Sequence, residues 1–422
     1  MIFLNQPFKF GVLSFAVFAS TITVAQTTSQ AEIDQMRKEI NVLKSMIEQQ
    51  QQKTLAQNAS IENLKTHSAN QNTKMTVGQD TSFNFYGNIR LDASYQAEGS
   101  NADRIYNNIN KVPLKGNAEA SDRFKSTLSA TRLGLDIHRQ VNDEKISGKL
   151  EVDFLGGTNL DNLRIRHAYM SYGNWLLGQT WSNFAVPDYM PETIDALGYV
   201  GGSVKRTPQV RYNVSFNPKT ALLIAAEDPK DGSSKMRTPA LTARLNHQLN
   251  NDAKMSLRTM VNEKKTDIDE TVAWGVGLGL QYKLKPETTL KADYYHVNRD
   301  SSFVSWTNPG FSRDASGNIL DESKFDSITI GLTQQINPQW RSTIGFGYMK
   351  SDASDAYKAG ISNLSEVNKD QWQGWVNAFY SPVKPISLGL EYVYGERKSE
   401  VKVNGEDVGE DNRFSAVAIY NF

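Results

Sequence analysis

Residues 83–95, FNFYGNIRLDASY, carry the pattern on which the predicted fold depends. Its apolar and aromatic side chains fall on alternate positions, and polar side chains occupy most of the positions between them. The apolar face carries Phe83, Phe85, Ile89, Leu91, Ala93 and Tyr95. A period of two predicts a β-strand with one apolar face and one polar face.

The same alternation recurs in sixteen segments along the rest of the chain. They begin near residues 83, 126, 145, 163, 175, 206, 219, 239, 253, 271, 288, 326, 340, 371, 386 and 412. Short turns follow the even-numbered segments, and long polar connections follow the odd-numbered ones. This regular alternation is typical of outer-membrane barrels, with short periplasmic turns and longer loops outside.

The predicted fold class is therefore an all-β membrane protein, a 16-stranded antiparallel transmembrane β-barrel over residues 79–422. A soluble β-sandwich is the alternative, but its connections would vary in length without such regularity. The last strand ends in Tyr420 and Phe422, which resembles the signal read by the machinery that assembles outer-membrane barrels.

Composition excludes several classes of protein. The chain has 422 residues, 39% of them hydrophobic, and a mean hydropathy of −0.50. It is thus too polar for a bundle of membrane helices, which need about 20 consecutive apolar residues each. Lys and Arg number 46, as do Asp and Glu, so no net charge favours nucleic acid. There is no cysteine, and the five histidines form no i,i+4 pair, so we predict no metal and no cofactor.

Residues 1–25 have the features of a signal peptide. Lys9 supplies the positive charge, Phe10 to Ala19 form the apolar region, and Thr23-Val24-Ala25 form a cleavage site of small residues. Gln26 is the expected mature N-terminus. An uncleaved membrane anchor is the alternative, although the apolar region is short for a membrane span.

Residues 26–78 are predicted to form a periplasmic coiled-coil helix that ends at Val77-Gly78. Apolar residues recur with a heptad period, at Ile33, Met36, Ile40, Leu43, Ile47, Ile61 and Leu64. Polar residues at Gln50, Thr54 and Gln57 interrupt the apolar seam. A helix of this quality is marginal alone, so we expect it to oligomerise; a solvated single helix acting as a spacer is the alternative.

Charged residues within the strands are expected to face the barrel interior, because lipid-facing charges cost about 2–4 kcal/mol at the bilayer midplane. The inward basic residues are Arg90, Arg132, Lys149, Arg164, Arg166, Arg211, Arg244, Lys254, Arg258, Lys291, Arg341 and Arg413. The inward acids are Asp92, Asp136, Glu151, Asp153, Asp293 and Glu391, and further acids are assigned to the last loop, at Glu406, Asp407, Glu410 and Asp411. A barrel of sixteen strands is wide enough for an aqueous channel, and its wall is net basic.

The densest basic stretch contains Arg164 and Arg166, which project from one strand face ~7 Å apart. With Arg132 and Arg211 they are predicted to form a ladder of guanidinium groups, joined by Arg90 and Lys149 as solute contacts. Guanidinium groups match carboxylates because their fork donates two hydrogen bonds. The alternative is that these arginines pair with Glu151 or Asp153 and merely stabilise the wall.

Two stretches carry a family resemblance. LRIRHAYMSYGNWLLGQTWSNF at residues 163–184 and RTPQVRYN at 206–213 resemble the DcaP-like outer-membrane porins. The layout of signal peptide, coiled coil and barrel resembles them along the whole chain. The resemblance implies a homotrimer in the outer membrane of a Gram-negative bacterium, with its N-terminal helices in the periplasm. It also implies diffusion of small dicarboxylates and similar anions.

The connection after the fifth strand, about residues 181–205, is the third loop, which folds into the barrel in trimeric porins. Its two prolines and bulky aromatic residues are too apolar for a solvated loop. Asp188, Glu192 and Asp195 are predicted to face the arginine ladder across a constriction. Simple solvation, or capping of a short helix, is the alternative for these acids.

The favoured function is passive diffusion of small anionic solutes through this constriction, with outer-membrane lipids around the barrel. A structural tether or adhesin is the alternative, in which the barrel is closed and the helix reaches the peptidoglycan. A barrel enzyme would need a nucleophile beside a histidine. His138 shares a strand face with Asp136, but no convincing nucleophile accompanies it, so we predict no enzyme.

Overall fold

The computed structural model describes residues 38, 74–77, 81–99, 105–116, 122–142, 144–157 and 161–422. The predicted signal peptide lies outside these residues. So does the predicted coiled coil, apart from Lys38, which is helical, and residues 74–77. Among the described segments, no helix has the length and apolar character needed to cross a membrane.

The described residues form nineteen strands in one antiparallel sheet. In chain order they are β1 Lys74–Val77, β2 Thr81–Glu98, β3 Arg123–Thr127, β4 Arg132–Val141, β5 Glu144–Gly156, β6 Asn162–Tyr172, β7 Trp175–Trp181, β8 Arg206–Asn217, β9 Thr220–Glu227, β10 Ala240–Gln248, β11 Ala253–Lys265, β12 Glu270–Lys285, β13 Thr288–Asn298, β14 Phe311–Arg313, β15 Ile319–Gln335, β16 Trp340–Ala353, β17 Asn368–Tyr380, β18 Ile386–Val403 and β19 Glu406–Asn421. A short α-helix, Asp355–Ala359, lies between β16 and β17.

Sixteen positions around the sheet make a closed barrel. β3 and β4 share one position, because both pair with β2. β1 and β14 are short additions that pair only with parts of β2 and β15. β19 pairs with β2, with Tyr420 opposite Ile89, and this pairing closes the ring. The predicted 16-stranded antiparallel barrel is therefore confirmed.

The prediction that the N-terminal helix extends to Val77-Gly78 is wrong. Lys74–Val77 form strand β1, in which Val77 lies opposite Thr81 and Lys74 opposite Asn84. β19 pairs with β2 only as far as Asn88, so the first residues of β2 would otherwise present unpaired backbone groups on that edge. β1 supplies those hydrogen bonds.

Outward and inward side chains alternate along the strands as the sequence predicts. On β2, Ile89 and Leu91 are 54% and 47% exposed, whereas Asp92 is only 2% exposed. Aromatic pairs lie beside the short turns: Trp175 and Tyr212, and Trp340 and Tyr380, have ring centroids 4.7 Å apart. The outer surface is therefore an apolar belt with aromatic residues at its edge, as lipid contact requires.

The last outer connection is much shorter than expected. β18 and β19 are joined by Asn404-Gly405, with φ values of 53° and 90°. Two central residues with positive φ define a type I′ hairpin turn, for which Asn-Gly is the preferred sequence. β19 consequently begins at Glu406, so the acids assigned to the last loop lie on this strand instead.

Three outer connections fold into the mouth of the barrel and share a core. They are residues 105–116, 182–205 and 299–310. Phe184 of the third loop packs edge-on against Phe303, at 5.8 Å, and Tyr295 of β13, at 5.3 Å. Ile109 and Val200 join the same buried cluster. This core accounts for the apolar composition of the third loop.

Inward glycines make room for the third loop along the wall. A Cβ atom at Gly279 would lie 2.2 Å from the ring of Tyr189, and one at Gly331 would lie 2.5 Å from Pro191. At Gly347 a Cβ would lie 1.8 Å from the carbonyl oxygen of Val200. Glycines on β12, β15 and β16 thus form a groove that the loop occupies.

Replacement of Gly347 by Ala is expected to displace the loop at Val200 and to cost about 1–3 kcal/mol, as overpacking does. Denaturant unfolding in detergent measures the loss, and single-channel conductance reports the displaced loop. Gly374→Ala on the next strand is the control, because its Cβ would have no neighbour closer than 3.9 Å. Equal behaviour of the two variants would contradict the groove.

Candidate functional site

The third loop crosses the lumen and binds the wall formed by the later strands. Asp188 pairs with Arg244 on β10 at 2.5 Å, and Glu192 pairs with Arg341 on β16 at 2.9 Å. Asp195 pairs with Arg413 on β19 at 3.0 Å. The prediction that the three acids face the ladder of Arg132, Arg164, Arg166 and Arg211 is therefore wrong. The loop packs in the glycine groove, and the arginines nearest that groove bind its acids.

Asp195 is the most enclosed of the three acids. It accepts hydrogen bonds from the backbone N–H groups of Asn107 at 2.7 Å and Leu197 at 2.8 Å. Burial raises the pKa of Asp195 to about 6, against the opposing effect of Arg413. The carboxyl group ties two inward loops to β19 rather than facing the lumen.

Asp188 is partly exposed to the lumen. Burial alone would raise the pKa of Asp188, but the charges of Arg244, Lys254 and Lys291 lower it below its usual value. Glu192 is also partly exposed, and its carboxylate accepts hydrogen bonds from the guanidinium of Arg341 through both oxygens. Each of these two acids therefore faces a cation in the lumen.

The opposite wall holds an arginine cluster around two buried carboxylates. Arg166 donates to Glu151 at 2.6 Å and to Asp153 at 2.9 Å. Arg164 donates to Asp153 at 2.7 and 2.9 Å, and Arg132 lies 3.4 Å from Glu151. The pairing that the sequence left as an alternative thus occurs. It does not neutralise the wall, because three guanidinium groups share two carboxylates.

A β-bulge in β6 sets the direction of these side chains. Glu151 lies opposite His167 and Val152 opposite Ile165, so Arg166 is the extra residue. Arg166 and His167 are both buried, although they are adjacent in the chain. A bulge re-aims side chains in this way and is frequent beside functional sites.

Arg206, at the start of β8, completes the cluster and was missed by the sequence prediction. Its guanidinium lies 4.3 Å from the ring centroid of Trp181. Within the described chain no carboxylate lies within ion-pair distance of it. Lys205 precedes it, and burial lowers the pKa of this lysine despite nearby Asp300 and Asp231. Arg206 is a cation held by an aromatic ring and available to a solute.

Three further residues were predicted to contact solute, and each of them binds groups of the protein: Arg90, Lys149 and Arg211. Arg90 lines the same cavity, but it binds Asp92 at 2.6 Å and the carbonyl of Ile194 at 2.5 Å. Lys149 binds Asp136 and the hydroxyl of Tyr86, both at 2.7 Å. Arg211 donates to Gln209 and to the carbonyl of Trp181. Lys149 and Arg211 do not line this cavity, and their contact with solute elsewhere along the pore stays a prediction.

The cavity between the arginine cluster and the inward loops has a volume of about 1020 Å³. Its charged lining comprises Arg90, Lys111, Arg132, Arg164, Arg166, Lys205 and Arg206, against Asp153 and Glu366. No group of three His, Asp or Glu residues in the described segments is arranged to hold a metal ion. The site is suited to attract and orient negatively charged solutes.

A closed sixteen-stranded barrel with an apolar belt, a polar interior and an inward third loop defines an outer-membrane porin. The family model for the DcaP outer membrane protein matches residues 20–422. The chain therefore belongs to the DcaP family, a family of outer-membrane channels. The resemblance seen in the strand motifs is confirmed.

Solved structures agree with this assignment. The outer membrane channel DcaP of Acinetobacter baumannii is 35% identical, with 82% of this chain and 99% of that chain covered and a TM-score of 0.74. The trimer form of Vibrio cholerae OmpT is 15% identical, with coverage of 82% and 100% and a TM-score of 0.53. An anion-selective porin from Comamonas acidovorans is 12% identical, with coverage of 81% and 100% and a TM-score of 0.54. The last two share only the fold. A search of curated proteins gives no match.

Proposed function

We propose that this porin is a passive channel for small anionic solutes, with dicarboxylates as the preferred class. The observation that carries the proposal is the excess of guanidinium groups in the cavity. Arg132, Arg164, Arg166 and Arg206 face only Glu151 and Asp153, which leaves a local charge of +2. A cationic surface in a cleft raises the local concentration of anions and their rate of entry.

The chemistry of the cluster favours carboxylates. A guanidinium group can donate two parallel hydrogen bonds to one carboxylate. Arg164 and Arg166 are two residues apart on one strand, ~7 Å, so a solute with two carboxylates can contact two guanidinium groups together. The Comamonas acidovorans porin is itself described as anion-selective.

The proposal includes a homotrimer whose N-terminal helices form a periplasmic coiled coil. The heptad pattern of residues 31–75 supports the coiled coil but not the number of chains, because Ile at a with Leu at d favours two strands. The Vibrio cholerae neighbour described as a trimer supports three chains. Coiled-coil pairing would hold the three N-termini together in the periplasm.

The reversal potential in a planar bilayer under a KCl gradient tests the function. The wild-type channel is expected to prefer chloride, and succinate is expected to block its current. Arg206→Gln should lower the chloride-to-potassium preference by a factor of roughly 3, because it removes the cation of the arginine cluster that has no carboxylate partner.

Arg139→Gln is the matched control, because it removes one exposed arginine near a periplasmic turn and should leave selectivity unchanged. Cation preference of the wild-type channel would contradict the proposal. Absence of current through a folded barrel would favour the closed tether or adhesin instead.

A further inference from the structure

A second basic pair lies on the inner surface of the barrel, on the periplasmic side of the third loop. Lys254 of β11 is directly opposite Gln281 of β12, and Gln281 is directly opposite Lys291 of β13. Three neighbouring strands thus present lysine, glutamine and lysine in one row. The two lysines are two strand spacings apart, about 9–10 Å.

These side chains are directed into the lumen. Ser256, two residues along from Lys254, is buried inside the barrel, as is Asp293, two residues along from Lys291. Neighbouring Leu257 is 45% exposed on the lipid side. Because side chains two residues apart share a strand face, Lys254 and Lys291 belong to the lumen face.

Neither ammonium group has an ion-pair partner within the described residues, unlike most inward cations of this barrel. The nearest acid on the loop is Asp188, which is committed to Arg244 at 2.5 Å. The charges of both lysines nevertheless act on Asp188. Glu192, the other acid exposed on this side of the loop, is bound to Arg341.

The part of the lumen around Lys254 and Lys291 therefore carries more cations than anions. Arg244, Lys254, Lys291 and Arg341 face Asp188 and Glu192, a local charge of +2 that matches the charge of the arginine cluster. The excess resides on the two lysines, because both arginines are already paired. The barrel thus has two regions of excess positive charge, one on each side of the third loop.

We infer that Lys254, Gln281 and Lys291 form a second anion-binding station, which receives carboxylate solutes between the constriction and the periplasm. This inference rests on the proposed anion-conducting function. A solute with two carboxylate groups can contact both ammonium groups, while the amide of Gln281 donates a hydrogen bond between them.

Lysine suits a site at which a carboxylate solute binds only briefly. Its ammonium is a flexible point charge and lacks the planar fork of arginine, so it holds a carboxylate with less geometric constraint. A solute leaving the arginine cluster then meets a second attractive site before bulk water. The same pair would capture solutes that approach from the periplasm, so its removal should alter entry from that side more than entry from outside.

The test is the block of chloride current by succinate added to one side at a time. In Lys254→Gln/Lys291→Gln, the succinate on-rate from the periplasmic side should fall about tenfold, and the on-rate from the outer side should change less than about twofold. Orientation of each channel can be assigned with Ser233→Cys, since the chain has no cysteine and Ser233 lines the outer cavity. An impermeant thiol reagent then lowers the current only from the outer side.

Lys219→Gln/Lys384→Gln is the control, because it removes two exposed lysines from periplasmic turns and leaves the row intact. Lys254→Arg/Lys291→Arg should retain the periplasmic on-rate. An unchanged on-rate in the double Gln variant, or an equal fall in the control, would overturn the station. Neither outcome bears on the chloride preference of the wild-type channel, so the proposed function would stand. Loss of chloride preference in the wild-type protein would instead overturn the proposed function.

Discussion

Replacement of Arg413 by Gln is expected to destabilise the barrel by about 3–5 kcal/mol, because it leaves the buried carboxyl of Asp195 without its charged partner. Arg413 is 1% exposed, and it also donates to the carbonyl of Ile105 at 3.2 Å. The variant thus loses contacts to two inward loops at once. Denaturant unfolding in detergent measures the change in free energy. Single-channel conductance should rise, because the third loop is no longer held at its centre.

The double variant Asp195→Asn/Arg413→Gln shows whether the ion pair is the cause. Removal of both charges leaves no unpaired charge, so the loss should be smaller than in Arg413→Gln alone. The amide side chain introduced at position 195 would keep one acceptor oxygen, so it retains one of the two hydrogen bonds from the N–H groups of Asn107 and Leu197, which bond different oxygens of Asp195. If the double variant lost as much stability as the sum of the single variants, the two residues would be energetically independent and the role given to the pair would be refuted.

The barrel could be predicted from the sequence because its signal is local and repeated. Alternation such as that of residues 83–95 fixes which face of each strand meets lipid. Short turns at one end fix the antiparallel order. The Asn404-Gly405 turn was also readable, since Asn-Gly is the strongest short hairpin signal, but the acids that follow it, from Glu406 to Asp411, were assigned to a loop.

The partners of the third-loop acids could not be predicted from the sequence, because the path of the loop depends on distant residues. Gly279, Gly331 and Gly347 lie on three strands and together form the groove that the loop occupies. No one of them differs locally from other strand glycines. The acids of the loop therefore pair with Arg244, Arg341 and Arg413. Attraction between opposite charges does not by itself select these three among the inward arginines.

Arg206 was missed because strict alternation places it on the wrong face. Thr207 and Gln209 are buried inside the barrel, so a period of two puts Arg206 outside. It is, however, the first residue of β8, where the strand meets the third loop. Its guanidinium there turns onto the ring of Trp181. Residues at strand ends are not bound by the alternation that the membrane imposes on the middle of a strand.

The triple variant Arg132→Gln/Arg164→Gln/Arg206→Gln is expected to abolish the preference for chloride. It leaves only Arg166 beside Glu151 and Asp153, so the local charge of the cluster changes from +2 to −1. Arg166 binds both carboxylates, at 2.6 and 2.9 Å, so neither acid loses all of its partners and the barrel should still fold. The reversal potential under a KCl gradient should fall to zero or change sign.

Arg139→Gln/Lys219→Gln/Lys384→Gln removes the same formal charge from exposed positions away from the cavity. Ion selectivity in a wide pore depends on fixed charges within about a Debye length of the ion path, ~10 Å at 0.1 M salt. The control should therefore keep its chloride preference at this salt concentration, whereas the cavity variant loses it. If both variants lost it equally, selectivity would follow the net charge of the whole protein, and the arginine cluster would have no special part in it.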